Sequence, residues 1–537
     1  MPTFPKLPAA LLVGMGILAS RVSGLIRNKV FAYYFGDTDL AGVYRAAQRI
    51  PNVLQNLLGE GALSASFIPA YARLLAEGRT DEAGRLAGAI FSLLAVVVAG
   101  LVAAGMALAP WLTRLIAPGF TGENYALTVT LVRIFFPGIG LLVLSAWCLG
   151  VLNSHRRFLL PYAAPVALNL VVILTLLVFG GQPLEHLVVW TTWGNVVGSA
   201  VMLAIQLPTV WRMAPPLQLG FQLDGAPTRE VIGNFFPALV SRGVAQISGY
   251  LDNILASLIS PGAVGILGYA QDVYMLPVSL FGLAISAAEL PALSSATGTP
   301  EAVAAQMRER LKQAVRQMSF FVIPSSVAFV VLGGSIVGVL YRGGRFDDNA
   351  TAAVWLTLAA AAIGLRAATQ ARLYASGFYA LGDTRTPLRY ALARVGLGAG
   401  GGAVAALYLP GRWGLPSAWG VAGLAAASGL AAWVEFVLLR RSLHGRIGPL
   451  ADNRLERAGL WLCALLAAGS AWAVISLVAP AVSSGASWRW LADLGGLALY
   501  GGVYLTAAVV LRLTPFDLQA RLRRLAGRDE GGASGEW

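Results

Sequence analysis

The chain has 537 residues, of which 57% are apolar and only 12% charged, and its mean hydropathy is +0.68. A soluble domain carries about twice that share of charge, so the composition excludes a soluble enzyme and a disordered tail protein. The net charge of +13 would suggest nucleic-acid binding in a soluble protein, whereas in a membrane protein basic residues first report topology, and no nucleic-acid partner is expected.

A spanning helix needs roughly 20 mostly apolar residues, and the chain divides into fourteen such segments. They cover approximately 8–35, 40–70, 85–116, 125–151, 160–181, 187–211, 229–259, 267–294, 314–341, 351–380, 387–409, 416–439, 456–479 and 488–512. Continuous apolar runs of this length read as helices, because barrel strands alternate over about ten residues. The fold class is therefore all-α, a polytopic membrane protein. The first segment has the look of a signal peptide, Lys6 followed by Leu7 to Ala19, but no small-x-small cleavage site follows and it reads as a retained span.

Basic residues collect at alternate ends of these segments. One set of ends holds Lys6, Arg73, Arg79, Arg85, Arg156, Arg157, Arg212, Arg229, the Arg308 to Arg316 group, Arg385, Arg389, the Arg440 to Arg457 group and the tail from Arg512 to Arg528. The other holds only Arg114, Arg342, Arg345, Arg412 and Arg489. The positive-inside rule then places both termini in the cytoplasm.

Other chemistry is sparse. Cys148 and Cys463 lie in apolar runs without disulfide or zinc spacing, and His155, His186 and His444 are scattered, so no metal or cofactor is expected. The run Gly396 to Gly401 satisfies G-x-G-x-x-G, but it lies inside a span with no preceding strand and reads as close helix packing.

The informative residues interrupt the spans: Arg21, Arg27, Arg45, Arg49, Arg133, Arg242, Arg366 and Arg372 against the carboxylates Glu60, Asp252, Asp272 and Glu289. An arginine at a helix centre costs roughly 2.5–3.5 kcal/mol on insertion scales, so these side chains are expected to avoid lipid. At 100° per residue Arg45, Arg49 and Glu60 share one face of the second segment, and Arg242, Gln246 and Asn253 share one face of the seventh. The simplest shared destination is a wet, cationic cavity. Guanidinium forks suit phosphate oxygens, which makes a pyrophosphate a natural occupant. The competing reading is that the charges staple helices as buried pairs or snorkel to the interface, above all at Arg27, Arg133 and Asp272.

Several stretches carry a resemblance. Ser20-Arg21-Val22-Ser23-Gly24-Leu25-Ile26-Arg27, Arg49-Ile50-Pro51-Asn52 and Gly59-Glu60-Gly61-Ala62-Leu63 resemble the opening of the MurJ (MviN) lipid II flippases of the MOP exporter superfamily. Further matches are Ala117-Pro118-Gly119-Phe120, Gly150-Val151-Leu152-Asn153-Ser154, Leu290-Pro291-Ala292 and Leu381-Gly382-Asp383-Thr384-Arg385-Thr386-Pro387. The resemblance implies fourteen helices: an N-lobe (1–215), a C-lobe (216–445), two further helices (446–515) forming a groove for the lipid tail, and a cytoplasmic tail (516–537). It implies a flippase without covalent chemistry that moves lipid II, the undecaprenyl-pyrophosphate-linked peptidoglycan precursor, across the bacterial inner membrane by alternating access. Membrane lipids and the cell-wall synthesis machinery are further partners on this reading.

The family's cavity residues fall on Arg21, Arg27, Arg49 and Glu60, and Arg45 and Arg242 join them as expected substrate-binding residues. Asp252, Asp272 and Glu289 are the expected gating or ion-pair residues. Departures from the family pattern occur at Leu40-Ala41-Gly42, where many members have Leu-Ala-Asp, at Gln55 and Asn56, where some have arginine, and at Asp272, which replaces the usual arginine. The sodium site reported for some members uses acidic groups of the eleventh segment, and residues 387–409 contain no carboxylate, so sodium coupling is not expected. The alternatives are an exporter of another polyprenyl-linked saccharide and a non-transporting cell-wall scaffold.

Overall fold

The computed structural model describes residues 9–214, 220, 225–295, 298–414, 416–450, 453–481 and 486–515. Within them, the side chains at 9–12, 50–51, 60–62, 64–65, 226, 236–248, 417, 479–481 and 486–488 lie outside the description, as does the tail 516–537. Among the described residues all extended secondary structure is helical, with one isolated bridge between Gly343 and Phe346.

The long helical rods are α1 (Ala9–Phe35), α2 (39–76), α3 (Thr80–Ala107), α4 (Gly122–Ser154), α5 (Leu159–Phe179), α6 (Leu184–Met213) and α7 (Ala226–Ile259). They continue as α8 (Pro261–Ser294), α9 (Pro300–Val331), α10 (Asp348–Ala380), α11 (Arg385–Trp413), α12 (Ser417–Ile447), α13 (Arg454–Ala481) and α14 (Ala486–Val510). Counting only the described residues, eleven of these are long and apolar enough to cross a membrane. The other three, α1, α2 and α7, each contain residues whose side chains lie outside the description; α1 carries Arg21, Arg27 and Lys29, and α2 carries Arg45 and Arg49.

Two predicted spans end earlier than expected. The segment 85–116 is broken at Leu108, and Ala109–Ile116 forms a separate short helix with proline in its first turn. Likewise 314–341 ends at Val331, and Gly333–Tyr341 starts anew after Leu332. Pro110 and the Gly333-Gly334 pair are the local causes, since neither residue type continues a helix readily.

Three rods contain π-helical turns, at Gln55–Leu63 in α2, Val278–Leu283 in α8 and Val404–Tyr408 in α11. A π turn closes i→i+5 bonds, so each residue rotates through less than 100°. The single face expected for Arg45, Arg49 and Glu60 therefore holds for the two arginines within Asp39–Leu54 but does not extend by ideal arithmetic to Glu60.

The chain forms two compact units, residues 1–268 with 340–350 and residues 269–339 with 351–537. In the first, Asn169 donates to Ser23 Oγ at 2.9 Å and Ser23 donates to the Ser20 carbonyl at 3.0 Å, which fixes α5 against α1. Aromatic contacts run from Phe31 through Tyr44 to Phe135. At the α2–α8 crossing a Cβ on Gly42 would lie 1.7 Å from the Pro261 carbonyl oxygen, so only glycine permits that approach. The departure at Leu40-Ala41-Gly42 thus has a packing cause.

In the second unit α9, α13 and α14 share a core in which Ala464, Ala467, Ala468 and Ala471 let the helices close together. The Tyr500 and Tyr504 hydroxyls donate to the Pro324 and Phe320 carbonyls at 2.7 and 2.6 Å. The glycine run of α11 packs on α12, with a Cβ on Gly401 3.5 Å from Ala427 Cβ, as expected for helix packing.

Candidate substrate-binding site

The first unit gathers three of the expected arginines around α2. Arg45 and Arg49 stand one turn apart on Asp39–Leu54 and both are half-buried. Arg27 of α1 uses its fork to donate twice to Asn28 Oδ1, at 3.2 and 2.9 Å. Between them the buried Tyr44 lies within electrostatic reach of both Arg27 and Arg45. Arg45 runs along Gly268, where an added Cβ would come within 2.5 Å of its Cδ and 2.7 Å of its Nη1. The missing side chain at Gly268 is what makes room for the arginine.

Arg49 reaches α7. Its Nη2 donates to the Gly249 carbonyl at 2.8 Å, and its guanidinium carbon lies 5.8 Å from the Tyr250 ring centroid. A second link ties the same two rods, because Arg73 at the end of α2 meets Glu230 near the start of α7 at 2.6 Å. Sequence alone did not pair these ends.

The remaining expected residues divide. Arg21 is exposed on α1, and none of the described contacts joins it to Arg27, Arg45 or Arg49. The side chains of Glu60 and Arg242 lie outside the described residues. Asp252 is half-buried on α7. Its neighbour Asn253, expected to face a cavity with Arg242, instead donates to the Ile116 carbonyl at 3.2 Å and closes the end of the short Ala109–Ile116 helix. Asp272 and Glu289 belong to the second unit. There Glu289 Oε2 is buried with no hydrogen-bond partner among the described residues.

The expectation of one destination for all eight arginines is corrected in three places. Arg133 is exposed and donates to the Met106 carbonyl at 3.3 Å, capping the end of α3, so it behaves as the interface reading required. Arg366 lines a separate pocket inside the second unit. Arg372 lies within electrostatic reach of Tyr274, Arg394 and Glu435, drawn from α8, α11 and α12.

That last group includes residues that the sequence reading passed over. Arg394 pairs with Glu435 at 3.2 Å, and Glu435 is 8% exposed. Each is a single charge in a long apolar run, the same signal that marked Arg133. Lys29, half-buried two residues beyond Arg27, was missed in the same way. Among the described residues no cluster of His, Cys, Asp or Glu could hold a metal ion.

Taken chemically, the first unit offers two guanidinium groups one turn apart on α2 and a third, on α1, within electrostatic reach of the same Tyr44 as Arg45; guanidinium forks suit oxyanions. The family model described as lipid II flippase MurJ matches residues 31–491. A probable lipid II flippase MurJ of Rhizobium tropici is 32% identical over 387 residues, covering 70% of this chain and 71% of that protein. The lipid II flippase MurJ of Burkholderia cenocepacia is 31% identical over 390 residues, covering 72% and 75%. Among solved structures, a lipid II flippase MurJ in an inward closed conformation superposes with a TM-score of 0.72 at 22% identity, covering 93% of this chain and 98% of that one. The chain belongs to the lipid II flippase MurJ family.

Proposed function

We propose that this protein moves lipid II across the bacterial inner membrane by alternating access, with both termini cytoplasmic and with α1, α2 and α7 crossing the bilayer alongside the other eleven rods. The observation that carries the reading is the placement of Arg45 and Arg49 one turn apart on α2, with the buried Tyr44 within electrostatic reach of Arg45 and of Arg27 on α1. Arg21, Arg242 and Glu60 complete the substrate-binding set, and α13 with α14 carries the lipid tail.

The pyrophosphate is recognised by charge-assisted hydrogen bonds, which are roughly twice as strong as bonds between neutral groups. Arg49 in this conformation donates to a neutral carbonyl, Gly249 O. An arriving phosphate oxygen outcompetes that carbonyl, and the α2–α7 link loosens as the substrate is taken up. Binding energy is thereby spent on the change of conformation, as any ligand-driven shift requires. Asp252, Asp272 and Glu289 act as state-dependent ion-pair partners. The buried Glu289 oxygen, without a hydrogen-bond partner among the described residues, supports that role, since leaving a polar group buried and unbonded costs about 1–3 kcal/mol. No bond is made or broken, and cell-wall synthesis enzymes are the natural consumers of the exported lipid.

The test is rescue of a bacterial host depleted of its own flippase, read by growth and by exposure of lipid II on the outer leaflet. Rescue by the wild-type chain and its loss on Arg27→Ala or Arg49→Ala are expected. Growth without lipid II exposure would instead favour the scaffold reading.

A further inference from the structure

A second group of guanidiniums lies within the second unit, apart from the residues assigned to lipid II. Arg372 of α10 and Arg394 of α11 meet there with one carboxylate, Glu435 of α12, and Tyr274 of α8 brings a hydroxyl within electrostatic reach of both arginines. Arg394 Nη1 donates to Glu435 at 3.2 Å, and among the described residues its Nη2 and Nε are left without a partner. Arg372 makes no side-chain hydrogen bond or ion pair among the described residues. Two cations thus share one acid, and the excess charge sits on an arginine whose donors are unused. The placement of Arg372 on its rod excludes lipid as its surroundings. At 100° per residue it stands about 180° around α10 from Ile363, an exposed apolar residue, and about 20° from Tyr379. Arg372 and Tyr379 are both exposed, and Tyr379 lies within electrostatic reach of Glu435. The rod therefore has an open apolar side and, opposite it, an open polar side. An intramembrane arginine belongs on the second, and a planar fork of unused donors matches phosphate oxygens.

We propose that Arg372 and Arg394 form an oxyanion site of the second unit, taking a phosphate-class anion while Glu435 holds Arg394 in place. The site is separate from the arginines of the first unit and does not depend on whether those carry lipid II. A phosphate comes either as a free ion or on a lipid headgroup, and the experiment separates the two sources.

Purified full-length protein in detergent is treated with phenylglyoxal, which modifies arginine, and the modification of Arg372 is followed by peptide mass spectrometry. The reaction is run with inorganic pyrophosphate, with farnesyl pyrophosphate and with sodium chloride at matched ionic strength. Arg372 is expected to react in the absence of a phosphate anion and to be protected by pyrophosphate, while the exposed Arg412 reacts at the same rate throughout. Arg394→Gln should raise the concentration needed for half-protection about tenfold, the loss expected for one charge-assisted contact. Glu435→Gln should lower that concentration, because it releases Arg394 to the anion; loss of folding cannot imitate this result, since it removes protection altogether. Equal protection by the two pyrophosphates identifies the free ion, and protection by farnesyl pyrophosphate at far lower concentration identifies a lipid headgroup; both outcomes uphold an oxyanion site. An unreactive Arg372, protection matched by sodium chloride, or half-protection unchanged in both variants overturns the proposal.

Discussion

Arg45 owes its position to what Gly268 lacks. A methyl group at 268 would meet the arginine's Cδ at 2.5 Å, so Gly268→Ala displaces the guanidinium without altering any charge. Rescue of a flippase-depleted host should fall with Gly268→Ala to the level of Arg45→Ala, whereas Gly100→Ala, which adds a methyl in open space, should rescue fully. Equal rescue by all three would show that the placement of Arg45 does not matter. Glu435 invites a thermal measurement. Glu435→Gln leaves Arg394 beside Arg372 without their shared carboxylate, and should destabilise the fold by on the order of 2 kcal/mol, read as a lower Tm, with Arg394→Gln in the same chain recovering part of the loss. At this scale the sequence was legible wherever a charge broke a span, as at Arg45 and Arg49. Arg394, Glu435 and Lys29 carried the same signal and were lost among longer apolar runs. The packing reason for Gly42 was not legible, because nothing local says that Pro261 will lie against it.

Between elements, the α2–α7 pair is held at two points, Arg49 to Gly249 and Arg73 to Glu230. The second pair is exposed, 51% and 44% on its two sides, so solvent screening leaves it a weak contribution. That is too little to alter stability measurably but enough to bias a two-state equilibrium. Arg73→Glu should increase labelling of cysteines introduced along the facing sides of α2 and α7, and the exchanged pair Arg73→Glu with Glu230→Arg should restore wild-type labelling; unchanged labelling in the single variant would remove the link from the mechanism. The α10–α11 loop offers a pH test. Hydrogen bonds from the Thr386 amide and hydroxyl, with Arg446 beside them, hold the Asp383 carboxyl down at about 2. A carboxyl depressed in the folded state stabilises it above the ordinary carboxylate range and loses that contribution as pH falls. Hydrogen-exchange protection of residues 384–388 should therefore drop between about pH 4 and pH 2, and Asp383→Asn should abolish that pH dependence. Helix order was readable from apolar runs, whereas the π turns at Gln55–Leu63, Val278–Leu283 and Val404–Tyr408 were not. An i→i+5 turn has no composition of its own and is imposed by neighbours.

For the whole molecule, apolar length and the alternation of basic ends are enough to recognise a polytopic helical membrane protein, and the family motifs lie in the stretches where charge breaks that pattern. Which helix ends meet is set by tertiary packing, so neither the division into residues 1–268 with 340–350 and 269–339 with 351–537 nor the meeting of Arg372, Arg394 and Glu435 in the second unit could be read from the chain alone. The central claim is that guanidinium groups on α1 and α2 hold the pyrophosphate of lipid II during its passage. Its most direct test is translocation of fluorescent lipid II in proteoliposomes, read by a membrane-impermeant quencher. Wild-type chain should render the inner-leaflet pool quenchable, and the triple variant Arg27→Ala, Arg45→Ala, Arg49→Ala should leave it protected at equal reconstitution. Undiminished quenching by the triple variant would contradict the account.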